Sequence, residues 1–161
     1  MKNIFLIRHS NAEEISAQND DFHRKLTKKG IEKAVVMAEE VRSFYSTRTT
    51  FLSSSAPRAL QTAEIFADVL GYSVEKIIKR DFLYHYYSFE QLIQYLSGMK
   101  PESVWVFGHN PMMADTASKL STRCYDSFPK CAVAGFSFQS ENFEDITINT
   151  GKLLFYQKPP K

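Results

Sequence analysis

Short apolar runs alternate with amphipathic stretches along the first 120 residues of the chain. Residues 3–7 and 103–107 have the length and apolar character of buried strands, and residues 49–52 and 74–78 are predicted to form shorter ones. Each run is followed by a polar loop or by residues that favour the start of a helix. Strands that alternate with helices indicate a largely parallel sheet whose two faces are both covered.

Four segments have helical spacing and recognisable ends. Thr27 can cap the first helix, Pro57 suits the first turn of the second, and Ser88 with Gln91 has the form of a capping box for the third. The predicted helices cover residues 28–45, the stretch from Pro57 until Gly71 ends it, residues 88–98 and residues 111–120. The predicted inward face of the first helix comprises Ile31, Ala34, Val35, Ala38 and Val41.

The C-terminal part has a different pattern. Residues 132–138, 143–148 and 152–157 are predicted to be strands, with a turn at Asn149-Thr150-Gly151 between the last two. The sequence therefore predicts an α/β fold, a three-layer α/β/α sandwich with a mostly parallel central sheet and antiparallel C-terminal strands. Residues 1–161 are expected to form one domain, because this length is typical of a single folding unit.

Composition narrows the function classes. Twenty basic and 18 acidic residues leave a net charge of +2, which is too balanced to predict nucleic-acid or membrane binding. No apolar run approaches the roughly 18 residues of a membrane span, and the apolar start is too short for a signal peptide. We therefore expect a cytoplasmic protein. Cys124 and Cys131 lack metal-site spacing, so neither a metal site nor a disulfide framework is expected.

Candidate chemistry is concentrated where three predicted strands end. Arg8 and His9 follow the first strand, Arg58 lies in the helix start after the second, and His109 follows the strand at 103–107. The carboxyl ends of parallel strands share one edge, where open α/β sheets form their sites. Guanidinium groups suit bidentate contacts with phosphate, and an imidazole can carry a phosphoryl group covalently. A second, charged imidazole would complete such a phosphate site, with no metal ion or other cofactor.

Each of these motifs alone is more often structural than functional. An Arg-His pair after a strand can be incidental, Asn-Pro favours turns in any case, and a Ser-x-x-Arg helix start is often only a cap. Their occurrence together, each at a strand end, favours the functional interpretation.

Four motifs in this order resemble a known family. They are LIRHSNAE at 6–13, RKLTKKG at 24–30, SSAPRALQTA at 54–63 and VFGHNP at 106–111. Together they resemble the histidine phosphatase superfamily and, within it, the short SixA-type phosphohistidine phosphatases. The resemblance spans most of the first 120 residues and implies a phosphoglycerate mutase-like fold.

The resemblance also implies roles for individual residues. His9 is expected to be the nucleophile that becomes phosphorylated, with Arg8, Arg58 and His109 binding the phosphate and Arg24 adding a cation at the pocket mouth. The family motif often reads Arg-His-Gly, whereas this chain has Ser10. A serine at this point is expected to be tolerated, with a hydroxyl that is a candidate contact to phosphate.

The general acid is the second departure from the family. The mutase branch has a glutamate where this chain has His85, which is therefore a candidate proton donor, and Asp81 is a weaker one. A surface or structural role for His85, among three tyrosines, remains an alternative. A phosphorylated imidazole can leave without an acid when its other nitrogen is protonated, whereas an alkyl phosphate needs help. The missing carboxylic acid therefore favours phosphohistidine as the substrate.

Three functions remain open from the sequence. The first is a metal-independent phosphatase that acts on a phosphohistidine-bearing protein, and the second is a phosphomonoesterase for a small phosphorylated metabolite. The third is a catalytically silent module that binds phosphate or other oxyanions. Short loops at 10–24 and 79–88 leave little material for a lid, which favours a protein substrate.

Overall fold

The strands form one mixed sheet with α-helices on both faces in the computed structural model, which describes residues 1–160. Within this range the strands are β1 (Lys2–Arg8), β2 (Thr49–Ser54), β3 (Ile78–Arg80), β4 (Ser103–Gly108), β5 (Val133–Phe138) and β6 (Lys152–Gln157). The α-helices are α1 (Lys28–Glu40), α2 (Pro57–Leu70), α3 (Phe89–Leu96) and α4 (Met112–Leu120).

The order of the strands confirms the predicted fold class. The sheet runs β3-β2-β4-β1-β5-β6; the first four strands are parallel to one another, and β5 pairs antiparallel with both β1 and β6. None of the helices within residues 1–160 is both long and apolar enough to cross a membrane.

Alternating side chains of the central strands supply two cores. Ile4 and Leu6 of β1 pack on the side that holds α3 and α4, whereas Phe5 and Ile7 pack on the side of α1 and α2. The Phe5 ring stacks on Trp105 of β4 with 4.7 Å between ring centroids. Continuous apolar runs are expected for strands that are buried on both faces.

The register of these strands aligns the predicted site motifs. Arg8 lies opposite Gly108 in the β1–β4 pair, and the next backbone amide, that of His9, donates to the Gly108 carbonyl at 3.0 Å. Ser53 of β2 lies opposite Phe107 of β4. The three strand ends therefore meet at one edge, as the sequence predicted.

Two predicted strands are wrong in place or kind. Residues Val74–Lys76 form a 3-10 turn, and the third strand begins only at Ile78. The predicted strand at 143–148 begins instead with a 3-10 turn, Phe143–Asp145, and β6 pairs with β5 rather than with this segment. Phe143 and Ile146 are buried in the core, so their apolar side chains anchor a connection that resembles a strand in sequence.

Helix α1 is shorter than predicted and is rotated about its axis. It ends at Glu40, and Ile31 and Val35 are 43% and 40% exposed, whereas Gly30 and Met37 are buried. A Cβ atom at Gly30 would lie 2.0 Å from the Asn11 carbonyl oxygen. The first turn thus packs directly against the backbone that follows the His9 strand, and this contact sets which side of the helix faces inward.

Candidate active site

A cavity of about 370 Å³ opens at the carboxyl edge of the sheet. Its lining contains all six residues predicted for the site, namely Arg8, His9, Arg24, Arg58, His85 and His109. Five further residues complete the lining: Asp21, Tyr84, Tyr86, Asn110 and Lys130. The structure thus brings together side chains from distant parts of the chain, from Arg8 to Lys130.

His9 is buried and held in one orientation. Its side chain follows β1 directly, the residue is 5% exposed, and Nδ1 lies 2.7 Å from the backbone carbonyl oxygen of Ser10. A carbonyl oxygen only accepts, so Nδ1 carries the proton and Nε2 keeps its lone pair. Burial lowers the pKa of His9 to about 3, with His109 and the site arginines adding to the effect. The imidazole is therefore neutral near pH 7 and can act as a nucleophile.

His109 lies beside His9 with 5.2 Å between the ring centroids. Its Nε2 is 2.8 Å from the Ser54 hydroxyl at the end of β2. Burial, followed by the charge of Arg58, lowers the pKa of His109 to about 3. The sequence-based expectation of a charged second imidazole is therefore wrong for the protein by itself, because neighbouring cations and burial both oppose protonation. A phosphate dianion at the site would act in the opposite direction.

Arg8 and Arg58 place two guanidinium groups around the histidines. Nη1 of Arg8 donates to the Phe128 carbonyl at 3.1 Å, and Arg58, in the first turn of α2, is 4% exposed. Burial and the nearby Arg24 and Arg58 lower the pKa of Arg8. Within residues 1–160, Nε of each arginine is buried without a hydrogen-bond partner, and so is Nδ1 of His109. These three nitrogens belong to residues that line the cavity.

Asp21 lines the cavity but was not among the residues that the sequence indicated. Its carboxylate accepts from Arg24 Nη1 at 2.8 Å, from Arg58 Nη2 at 3.1 Å and from the Tyr84 hydroxyl at 2.6 Å. Its backbone carbonyl also accepts from Arg58 Nη1 at 2.6 Å. The Tyr84 hydrogen bond, followed by Arg24, lowers the pKa of Asp21 to about 2. An ionised carboxylate thus joins both arginines and one aromatic side chain.

The signal for Asp21 in the sequence was weak. Two adjacent acids precede Arg24, and nothing in the pattern separates them. The structure shows that Asp20 pairs with the exposed ring of His23, at 2.8 Å, whereas Asp21 faces the cavity. Only the loop's path over the strand ends distinguishes the two carboxylates.

Tyr84 was likewise not predicted from the sequence to belong to the site. Its ring lies edge-on to His109 at 5.5 Å between centroids, and the Arg58 guanidinium carbon is 5.8 Å from the ring centroid. Tyr84 therefore covers one side of His109 and Arg58, and its hydroxyl also donates to Asp21.

Ser10 fits the local backbone, but its side chain does not line the cavity that holds the predicted phosphate-binding residues. Its hydroxyl donates to the Gly30 carbonyl at 2.7 Å, and its backbone amide donates to Thr62 Oγ1 at 3.1 Å. The residue is fully buried, and its φ is not positive. The expected tolerance of serine is consistent with this geometry, whereas the proposed contact between its hydroxyl and phosphate is wrong, because Gly30 holds that hydroxyl.

The two candidate general acids lie in different places. His85 is exposed and lines the rim of the cavity next to Tyr84. Asp81 is absent from the cavity lining, and its carboxylate accepts a hydrogen bond from Ser55 at the surface. The structure therefore brings His85, but not Asp81, to the predicted site.

Comparison with protein families finds one match. The model described as histidine phosphatase superfamily (branch 1) matches residues 4–83, which include Arg8, His9, Arg24 and Arg58. Comparison with curated proteins finds no match.

Comparison with solved structures finds the same architecture in several phosphatases. The provisionally named phosphohistidine phosphatase SixA from Agrobacterium tumefaciens is 22% identical, with a TM-score of 0.79 and 98% of each chain covered. A protein histidine phosphatase SixA complexed with tungstate is 23% identical, with a TM-score of 0.79 and 96% of this chain and 95% of that one covered. A mycobacterial glucosyl-3-phosphoglycerate phosphatase is 14% identical, with a TM-score of 0.67 and 96% and 98% covered. At these identities the likeness establishes the fold.

Proposed function

The chain belongs to the histidine phosphatase superfamily, and from this premise we propose that it hydrolyses phosphohistidine on a protein through a covalent phospho-His9 intermediate. The observation that carries the proposal is the state of His9. Its ring is neutral, its Nδ1 is held by the Ser10 carbonyl, and it shares a cavity with His109, the buried Arg58 and the half-buried Arg8. A nucleophile that is fixed in one orientation loses little entropy on reaching the transition state.

In the first step, the lone pair on His9 Nε2 forms a bond to phosphorus while the bond from phosphorus to the substrate nitrogen breaks. The electron pair of that bond stays on the substrate imidazole, which leaves as a neutral ring when its other nitrogen is protonated. Phospho-His9 retains its proton on Nδ1, so the ring carries a positive charge that the phosphoryl oxygens and the Ser10 carbonyl stabilise.

In the second step, water attacks phosphorus and the bond to Nε2 breaks. The phosphoryl group and the water together form dihydrogen phosphate, and His9 returns to its neutral state. Arg8, Arg58 and His109, which line the cavity beside His9, stabilise the oxygens of the transferring group in both steps. Arg24 adds a further positive charge at the mouth.

The substrate class follows from the proton requirements of the leaving group. Asp21 is the one carboxylate in the cavity lining of the described residues, and with a pKa of about 2 it is ionised at neutral pH. It therefore has no proton to donate to an alkoxide. A substrate whose leaving group needs no carboxylic acid suits this site, and phosphohistidine is such a substrate.

A small-molecule phosphomonoesterase is the second candidate function. The fold is shared with a mycobacterial glucosyl-3-phosphoglycerate phosphatase. His85 on the cavity rim is the proton donor that such an activity would require.

The proposal is tested by activity in the presence of EDTA on two substrates, a phosphohistidine-bearing protein domain and p-nitrophenyl phosphate. We expect phosphate release from the domain with wild type and none with His9→Ala. Rapid ester hydrolysis with the domain left intact would favour the metabolite phosphatase instead. If neither substrate is hydrolysed, the silent phosphate-binding module becomes the leading interpretation.

A further inference from the structure

A second hollow, which the proposed reaction does not use, adjoins the phosphate cavity. It has a volume of about 580 Å³ and shares Arg8 and Lys130 with that cavity. Four cationic residues line it: Arg8, Lys33, Lys130 and Lys158. The remaining lining is neutral, so among the residues that the structure describes no acidic side chain contributes to this hollow. We call it the lysine hollow.

Three separate elements bring these lysines together. Lys33 is half-buried on α1, and Lys158 directly follows β6. Lys130 directly precedes Cys131, whose backbone amide is 3.1 Å from the carbonyl oxygens of both Arg8 and His9. The end of β1 and the adjacent His9 therefore also hold the backbone next to Lys130, which lines both cavities.

The lysines of the hollow are not neutralised within the protein. In residues 1–160 none of the three lysines forms an ion pair within 4 Å. Like charges that are held together repel one another, and an incoming anion would relieve that repulsion.

We propose that the lysine hollow is a second anion subsite, which binds an aspartate or glutamate side chain of the protein substrate beside its phosphohistidine. This inference rests on the proposed function, because it assigns the second anion to the molecule that carries the phosphate. The phosphate itself is assigned to the cavity beside His9, which leaves the hollow free for a separate anionic group. Ser127 and Lys158 on its rim are exposed, which places the subsite where a side chain on a protein surface can enter.

The test uses two phosphohistidine peptides that differ only at the flanking positions, which carry aspartate and glutamate in one and asparagine and glutamine in the other. The test variant is Lys33→Gln with Lys158→Gln; Lys130 is left unchanged because it also lines the phosphate cavity. The matched control is Lys76→Gln with Lys152→Gln. This variant loses the same charge at the other end of the strands, because Lys76 precedes β3 and Lys152 begins β6.

We expect wild type to have a KM about fivefold lower for the acidic peptide than for the amide peptide, with similar kcat. The test variant should lose this preference, and the control variant should keep it. Raising the ionic strength to about 0.5 M should weaken the preference, because salt screens such contacts. Equal KM values for the two peptides with wild type, or an unchanged preference in the test variant, would overturn the subsite.

Binding to His9→Ala, measured by calorimetry, separates this inference from the proposed reaction. A preference for the acidic peptide that persists in the absence of any wild-type turnover would contradict the proposed reaction and support the subsite. Normal turnover with equal affinity for both peptides would support the proposed reaction and contradict the subsite. If only small phosphate esters that also carry a carboxylate showed the preference, the hollow would belong to a metabolite site, and the proposal of a protein substrate would be overturned.

Discussion

Burial governs the protonation of the two site histidines, and this sets both their reactivity and a cost to the fold. His9 and His109 each have a pKa near 3 in the folded chain, against about 6.5 for an unfolded histidine. Between these values the unfolded chain binds protons that the folded chain does not. Stability contributed by these groups is therefore complete above pH 6.5 and is lost progressively as the pH falls towards 3.

This linkage predicts how the free energy of unfolding depends on pH. Below pH 6.5 each of the two histidines should contribute a slope of at most about 1.4 kcal/mol per pH unit. Urea unfolding between pH 7 and pH 5 should therefore show that the free energy of unfolding depends less steeply on pH for His109→Gln than for wild type. Identical slopes for wild type and His109→Gln would contradict the low pKa.

Asp21 illustrates a site residue whose role depends on geometry alone. It carries a negative charge into the proposed phosphate site, so charge complementarity alone would not have selected it. Its oxygens nevertheless hold Arg24, Arg58 and Tyr84 in place, so its contribution is to fix the directions of the two cations. The side chain of Asp21 is 43% exposed, so solvent weakens these ion pairs, whereas Arg58 at the other end is buried.

Replacing Asp21 should therefore affect both stability and activity. Asp21→Ala is expected to lower the free energy of unfolding by about 1–2 kcal/mol, because the buried Arg58 loses its carboxylate partner and keeps only the backbone carbonyl of residue 21. It should also lower kcat/KM roughly tenfold, because the guanidinium groups are no longer held in position. Denaturant unfolding and steady-state kinetics measure the two effects. Asp20→Ala is the matched control, and equal effects of the two substitutions would contradict the positioning role.

At the scale of elements, the site depends on how α1 docks against the segment after β1. Thr27 caps the helix by accepting from the Gly30 amide at 3.1 Å, and Gly30 lies directly against the Asn11 backbone. The Ser10 hydroxyl bonds the same glycine through its carbonyl. The Arg-x-Leu-Thr-x-x-Gly motif therefore locks the residues that follow His9, which gives a physical reason for its glycine.

Gly30→Ala tests this docking. The new Cβ would have to displace a backbone oxygen, so we expect a loss of about 3 kcal/mol in the free energy of unfolding. Gly98→Ala is the control, since Gly98 has a φ of +80° but open space around it. That substitution should cost only about 1 kcal/mol, from backbone strain. Equal losses for the two variants in denaturant unfolding would show that close approach is not the reason for Gly30.

Local sequence signals identified most elements because those elements have local causes. The capping box at Ser88 is present as predicted, and the first and fourth strands match their apolar runs to within one residue. The prediction failed at residues 143–148, where Phe143 and Ile146 are buried for tertiary reasons and not as part of a ladder. An apolar pattern typical of strands indicates that side chains are buried, and side chains can also be buried in the connections between strands.

At the scale of the whole molecule, the site is a consequence of strand order. Placing β4 between β1 and β2 brings His109 between the residues that follow those two strands. Motifs at the strand ends could therefore be predicted to meet. Contacts made by the connecting loops could not, and for this reason Asp21, Tyr84 and the lysine hollow became visible only in three dimensions.

The most direct test of the central claim is to locate the phosphoryl group during turnover. A protein domain labelled on phosphohistidine is mixed with the chain, the reaction is stopped in alkali within the first turnover, and the labelled peptide is identified by mass spectrometry. The account predicts an acid-labile label on Nε2 of His9, present in wild type and in His23→Ala and missing in His9→Ala. Phosphate release from the domain without label on His9, or undiminished release by His9→Ala, would contradict it.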